Sequence, residues 1–169
     1  LVLNGLDGDD TFDVTGSQPY ATILLAGGNP SASDVAALTG SGANVSADLA
    51  AGEVTGGGLG TVSLTGIEQL DIDATAGNLT VLASGDDDTV EVTPLGTNHG
   101  TLQANGAAPV VNFSDVGDLT VNLLGGNDLL TVNASSGEDT ITVDGTTVAI
   151  TGRQAVDYLG TESVIANGL

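Results

Sequence analysis

GDDTFDV, residues Gly8–Val14, opens a pattern that this chain writes four times. It returns as GDDDTVEV at Gly85–Val92, GNDLLTV at Gly126–Val132 and GEDTITV at Gly137–Val143. Each copy is a glycine, a short acidic cluster and then an alternation of apolar and polar residues. Glycine admits the positive φ of a sharp bend. Asp and Asn bond their own backbone and tolerate tight turns. In the run that follows, Phe12 and Val14, or Ile141 and Val143, fall on one face, and Asp13 or Thr142 on the other, as the two-residue period of a strand requires. The unit is therefore a corner that feeds a β-strand.

The same period runs through most of the chain, as in LTVNLL, LLTVN, TTVAITG and LDID, with Thr, Val and Ile dominant and Gly, Asn and Asp between runs. The best helical candidate, SADLAAGEV at Ser46–Val54, is short and broken by Gly52. A second element also recurs. VSLTGIEQLDID from Val62, VNFSDVGDLTVN from Val111 and VDYLGTESVIAN from Val156 align without a gap. Leu64, Phe113 and Tyr158 share one apolar position; Leu70, Leu119 and Val164 share another. A recurrence of about 45 to 50 residues signals a repeat architecture.

The predicted fold is all-β: a β-solenoid, as a right-handed parallel β-helix, of roughly 45–70-residue repeats. The alternative is a tandem of Ig-like β-sandwiches, which normally carry a large core aromatic that this chain mostly lacks. The whole chain reads as one repetitive domain, with units at 1–69, 70–118 and 119–163 and a restart at 164–169. VIANGL at Val164–Leu169 matches LVLNGL at Leu1–Leu6, so another acidic turn and strand are expected next, in a longer parent. The Ala- and Gly-rich excess between Ala26 and Gly60 reads as a surface excursion, with a degenerate or capping repeat as the alternative.

Charge narrows the partners. Against 22 Asp and Glu stands one basic residue, Arg153, for a net charge of −21. Phosphates need basic contacts, so nucleic acid is excluded as a partner, and an anionic lipid surface with it. No apolar run reaches the roughly 18 residues of a membrane span. Yet 40% of residues are hydrophobic, unlike a disordered acidic tail. The absence of Cys removes disulfides, and the acidity suits an extracellular or cell-surface setting.

Acidic side chains and carbonyls in a Gly-rich loop are the hard oxygen donors that calcium prefers. The candidate ligands are Asp7, Asp9 and Asp10, then Asp86, Asp87 and Asp88, then Asp128, Glu138 and Asp139. With so little positive charge, these clusters repel, and a divalent ion would stabilise the fold. GLDGDDTFD at Gly5–Asp13 resembles the calcium-binding nonapeptide of the RTX (haemolysin-type) family. Gly5, Gly8, Asp10 and Phe12 match; Leu6 replaces a glycine, and the copies are not in tandem. The chain as a whole is similar to the Gly/Asp/Thr/Val-rich repeat arrays of large bacterial surface and secreted proteins. That likeness implies a structural role, in which copies of the chain or neighbouring repeats stack head-to-tail into a filament. Its alternative is an adhesin module that binds a surface glycan or protein.

Catalysis is not expected. The lone His99 in GTNHG reads as a loop residue, no G-x-S-x-G motif exists, and GGGLG at Gly56–Gly60 lacks the ending of a phosphate loop. N-x-S/T triplets at Asn44, Asn78, Asn112 and Asn133 reflect how common these residues are.

Overall fold

In a computed structural model, residues 1–29, 33–107 and 109–168 are described. They form 18 strands and no helix. The strands are β1 (Val2–Leu6), β2 (Thr11–Thr15), β3 (Thr22–Gly28), β4 (Val35–Thr39), β5 (Val45–Asp48), β6 (Glu53–Gly56), β7 (Thr61–Thr65), β8 (Gln69–Asp73) and β9 (Leu79–Leu82). They continue as β10 (Thr89–Pro94), β11 (Gly100–Ala104), β12 (Val110–Ser114), β13 (Leu119–Asn122), β14 (Leu129–Asn133), β15 (Ile141–Val143), β16 (Thr147–Ile150), β17 (Val156–Leu159) and β18 (Ser163–Asn167).

They make two sheets. The first has the order β1-β3-β7-β6-β5-β9-β13-β17-β16-β15, and the second β18-β14-β10-β11-β12-β8-β4-β2. Three antiparallel meanders, β5–β7, β10–β12 and β15–β17, sit within them; every other pairing is parallel. That parallel majority departs from Ig-like sandwiches, whose sheets are antiparallel.

The path obeys a simple rule. Rank the strands of each sheet from the end that holds β1 and β2. Every crossing from the first sheet to the second joins equal ranks: β1 to β2, β3 to β4, β7 to β8, β9 to β10, β13 to β14 and β17 to β18. From β4 onward, every return crossing advances three ranks: β4 to β5, β8 to β9, β12 to β13 and β14 to β15. Each meander then steps back two ranks and fills the places that the advance left open. Only β2 to β3 advances by a single rank. The three aligned sequence segments fall on β7–β8, β12–β13 and β17–β18. The middle one crosses the sheets in the opposite direction to the other two.

Parallel register turns alternation into columns. Phe12, Ala36, Leu70 and Val111 are partners in successive strands of the second sheet, followed by Leu102, Val92 and Val132. In the first sheet, Ile23, Val62, Val54, Ala47, Val81 and Val121 form the matching column. All are buried, and the inward faces of both sheets belong to one core. Branched and small side chains suit such columns, because neighbours repeat at the strand spacing of about 4.8 Å.

The Ala-rich stretch corrects the expectation of a surface excursion. From Asp34 to Gly58 it supplies β4, β5 and β6, and Ala36, Leu38, Val45, Ala47 and Val54 are core residues. Its alternation is real but is written with Ala, whose small side chain hides the apolar period. Pro30–Ala32 of the same stretch lie outside the described residues. Ser46–Val54 is the β5–β6 hairpin and its turn.

Leu70 is fully buried between Ala36 and Val111. Leu70→Ala is expected to lower unfolding free energy by about 2–5 kcal/mol in urea denaturation, because Ala36 leaves no bulky neighbour to fill the cavity.

Candidate functional site

The acidic residues converge on the corners where the chain enters the second sheet. The residue before each of its parallel strands forms a column. Asp10 N–H donates to Asp34 Oδ1 at 2.7 Å, and Asp34 N–H to Glu68 Oε2 at 2.9 Å. The meander interrupts the column at β12, which Pro109 precedes. The break falls after Glu68 because Pro109 offers no side-chain acceptor, and Glu68 N–H donates to the Asp34 carbonyl at 3.0 Å instead. Beyond the meander the column resumes: Asp88 N–H donates to Asp128 Oδ1 at 2.8 Å, and Asp128 N–H to Glu162 Oε2 at 2.8 Å. Two Asp-Asp-Glu columns therefore tie six corners. The first sheet has an analogue, in which Asn78 N–H donates to Asn44 Oδ1 at 3.3 Å and Asp118 N–H to Asn78 Oδ1 at 3.1 Å.

These columns absorb Asp10, Asp88 and Asp128 of the predicted ligands. Asp139 closes its own corner, accepting from Ser135 N–H at 3.1 Å and from Ser135 Oγ at 3.0 Å. Asp88 uses the same device with Ser84 N–H and Oγ, both at 2.8 Å. Asp7, Asp9, Asp86, Asp87 and Glu138 are exposed. Among those five, Asp87 reaches a neighbouring corner, accepting from Asn127 N–H at 2.8 Å. Among the described residues, no three His, Cys, Asp or Glu side chains converge closely enough to hold a metal ion between them.

What the corners do hold is unpartnered oxygen. Asp34 is 0% exposed and Asp128 1%, and in each Oδ2 is buried without a hydrogen-bond partner; Asp10 Oδ2 is likewise orphaned. Two of these oxygens face main-chain carbonyls across a glycine. A Cβ on Gly27 would overlap both Asp34 Oδ2 and the Gly66 carbonyl oxygen. A Cβ on Gly5 would overlap both Asp10 Oδ2 and the Gly27 carbonyl oxygen. Each rung thus presses a carboxylate oxygen and a carbonyl oxygen against the Cα hydrogens of a glycine, an approach that a residue with a Cβ does not allow. Arg153 is not at these corners: its guanidinium donates to the Leu95 carbonyl.

At Asp88 two effects on the carboxyl oppose each other. Burial pushes its carboxyl up. Hydrogen bonds from Asn105 Nδ2 at 2.6 Å and from Ser84 outweigh that, and its pKa lies below the ordinary value of 3.8.

The sequence reading did not single out Asp34, Glu68 and Glu162, the acids that complete the columns. Each stands alone before an alternating run, as in DVAALT, EQLDID and ESVIAN, without the glycine and acidic cluster of the main motif. Glu68 and Glu162 share a position in the aligned segments, where the middle segment has Gly117. Asn133, in an N-x-S triplet, is buried and bonded to Glu91 and Asn167. His99 sits exposed in the turn between β10 and β11. No known protein family, no curated protein and no solved structure matches the chain.

Gly27→Ala is expected to destabilise by about 1–3 kcal/mol or more in urea melts, since the added methyl meets buried oxygen on two sides. For Asp88 the depressed folded pKa means its contribution is complete above the unfolded value and is lost as pH falls through the folded one. Stability followed from pH 7 to pH 2 is expected to drop below about pH 4. Asp88→Asn is expected to flatten part of that drop.

Proposed function

We propose that this chain is a structural segment of an extracellular or cell-surface repeat protein: a β-solenoid joined head-to-tail with further units and stabilised by calcium at its acidic corners. The observation that carries the reading is the connection rule, in which three-rank advances are back-filled by meanders wherever they leave places open, and which has no built-in stop. Repeat stacks of this kind gain stability from contacts between neighbouring units. The edge strands β1, β2, β15 and β18 each pair on one side only among the described residues, and each runs in the common direction of its sheet. Growth along the stack therefore needs no reversal of direction. In this reading the chain carries no catalytic step.

Calcium is supported by the orphaned oxygens of Asp10, Asp34 and Asp128 and by a charge of −21 that the lone arginine does not neutralise. Extracellular calcium modules work at affinities of about 10⁻⁴–10⁻³ M, which suits sites with few protein ligands. At 100 times Kd an ion contributes about 2.7 kcal/mol, equivalent to about 5–10 °C in Tm for a domain of this size. Calcium is therefore expected to raise Tm by that amount over an EGTA control. Asp34→Asn keeps the oxygen that Asp10 N–H needs and turns the orphan into a donor, so it is expected to melt higher than wild type in EGTA and to respond less to calcium. Equal melting of wild type with and without calcium would remove the ion and leave the corners purely structural. Labelling of intact, unpermeabilised cells by antibody against the chain tests the location.

A further inference from the structure

The two ends of the stack are not alike. At the β1/β2 end, both sheets begin at rank one, and the edge of the second sheet is well covered: Phe12 and Val14 of β2 are buried. At the other end the first sheet reaches rank ten with β15, whereas the second stops at rank eight with β18. The end is a step, two strands deep.

Side chains record the missing strands. Val143 of β15 pairs with Val148, which is fully buried, so both point to the core side of the sheet. Yet Val143 is 49% exposed. Val164 and Ala166 of β18 are only partly buried, while their register partners Leu130 and Val132 are at 0%. The inner face is open where ranks nine and ten of the second sheet would cover it.

We infer that this step is the receiving surface for one particular occupant: a following unit of the same kind, consisting of a single strand beside β15 and then a three-strand meander beside β18. The connection rule specifies both parts. A return crossing from rank eight of the second sheet lands at rank eleven of the first, next to β15. An equal-rank crossing then reaches rank eleven of the second sheet, and a meander stepping back through ten to nine fills the gap and pairs with β18. β9 followed by β10–β12 is such a segment, and it meets β5 and β8 in this way. A second copy of this chain is the wrong shape. Its flush β1/β2 end placed beside β15 leaves ranks nine and ten empty, with Val143 still bare. This inference rests on the structural reading above and decides how units join: by continuation of one polypeptide, not by docking of separate chains.

The test is a fusion in which residues 1–167 are followed by a second copy of residues 74–114, since Asn167 and Asp73 occupy equivalent positions. The appended segment is expected to fold onto the step. Hydrogen exchange at the free edges of β15 and β18 slows at least tenfold, the urea m value rises with the added chain, and unfolding remains a single transition. A copy of residues 115–159 appended at the same point supplies two single strands before its meander and is expected to leave β18 unprotected. The inference is overturned if residues 74–114 stay fast-exchanging and protease-sensitive on an otherwise unchanged core, or if both appendages protect β18 alike. Sedimentation of the unfused chain gives a second reading. Monomers at all concentrations are expected, and filaments built from it would equally overturn the inference. These outcomes leave surface location untouched, so antibody labelling and the fusion fail independently.

Discussion

One hydrogen bond recurs at the places where this fold turns: a backbone N–H just before a strand given to a side-chain oxygen at the same place one rung away. In the second sheet the acceptors are Asp34, Glu68, Asp128 and Glu162; in the first they are Asn44 and Asn78. A corner residue has left one ladder and not yet joined the next, so its amide would otherwise be unpaired near the core. The bond satisfies that amide and fixes the rung spacing together. Register then follows, and with it the matching of Leu70 to Ala36 and Val111 that builds the core columns.

The same device sets the electrostatic problem. Acceptors must be compact and carry no competing donor, and carboxylates meet both needs, so the corners accumulate negative charge in file. Asn on the first sheet performs the bond without the charge, at longer distances of 3.1–3.3 Å against 2.7–2.9 Å for the carboxylates. Charge-assisted bonds are shorter and stronger. The acidity of the chain is in part the by-product of firm corners, and the orphaned Oδ2 atoms are what that firmness leaves over.

Strands were legible wherever the period was written in Val, Ile, Leu or Phe. Thr11–Thr15, Thr89–Pro94, Leu129–Asn133 and Ile141–Val143 follow the four acidic turns. The all-β class was legible for the same reason. β4 and β5 were not, because Ala36, Ala37 and Ala47 carry too little hydrophobic contrast to mark a face. The acidic clusters were legible as corners, but the partners of Asp10 and Asp88 lie 24 and 40 residues away, and no local pattern reports a contact that only pairing creates. Glycine frequency likewise gave no hint that Gly5 and Gly27 are where carboxylate and carbonyl approach the backbone.

The three-rank advance also governs the order in which the chain can assemble. When β5 crosses over, the places behind it are vacant, and its first neighbour is β6, joined through a turn of only Leu49–Gly52. Hairpins of this kind close in about 1–10 μs, far faster than a distant strand is found. The advance and its filling thus form one local packet of sequence, with β7 pairing the hairpin on one side and β3 on the other. A chain emerging from the ribosome would lengthen in leaps, and wherever a leap leaves an opening in the core, the last two strands of the meander that follows close it.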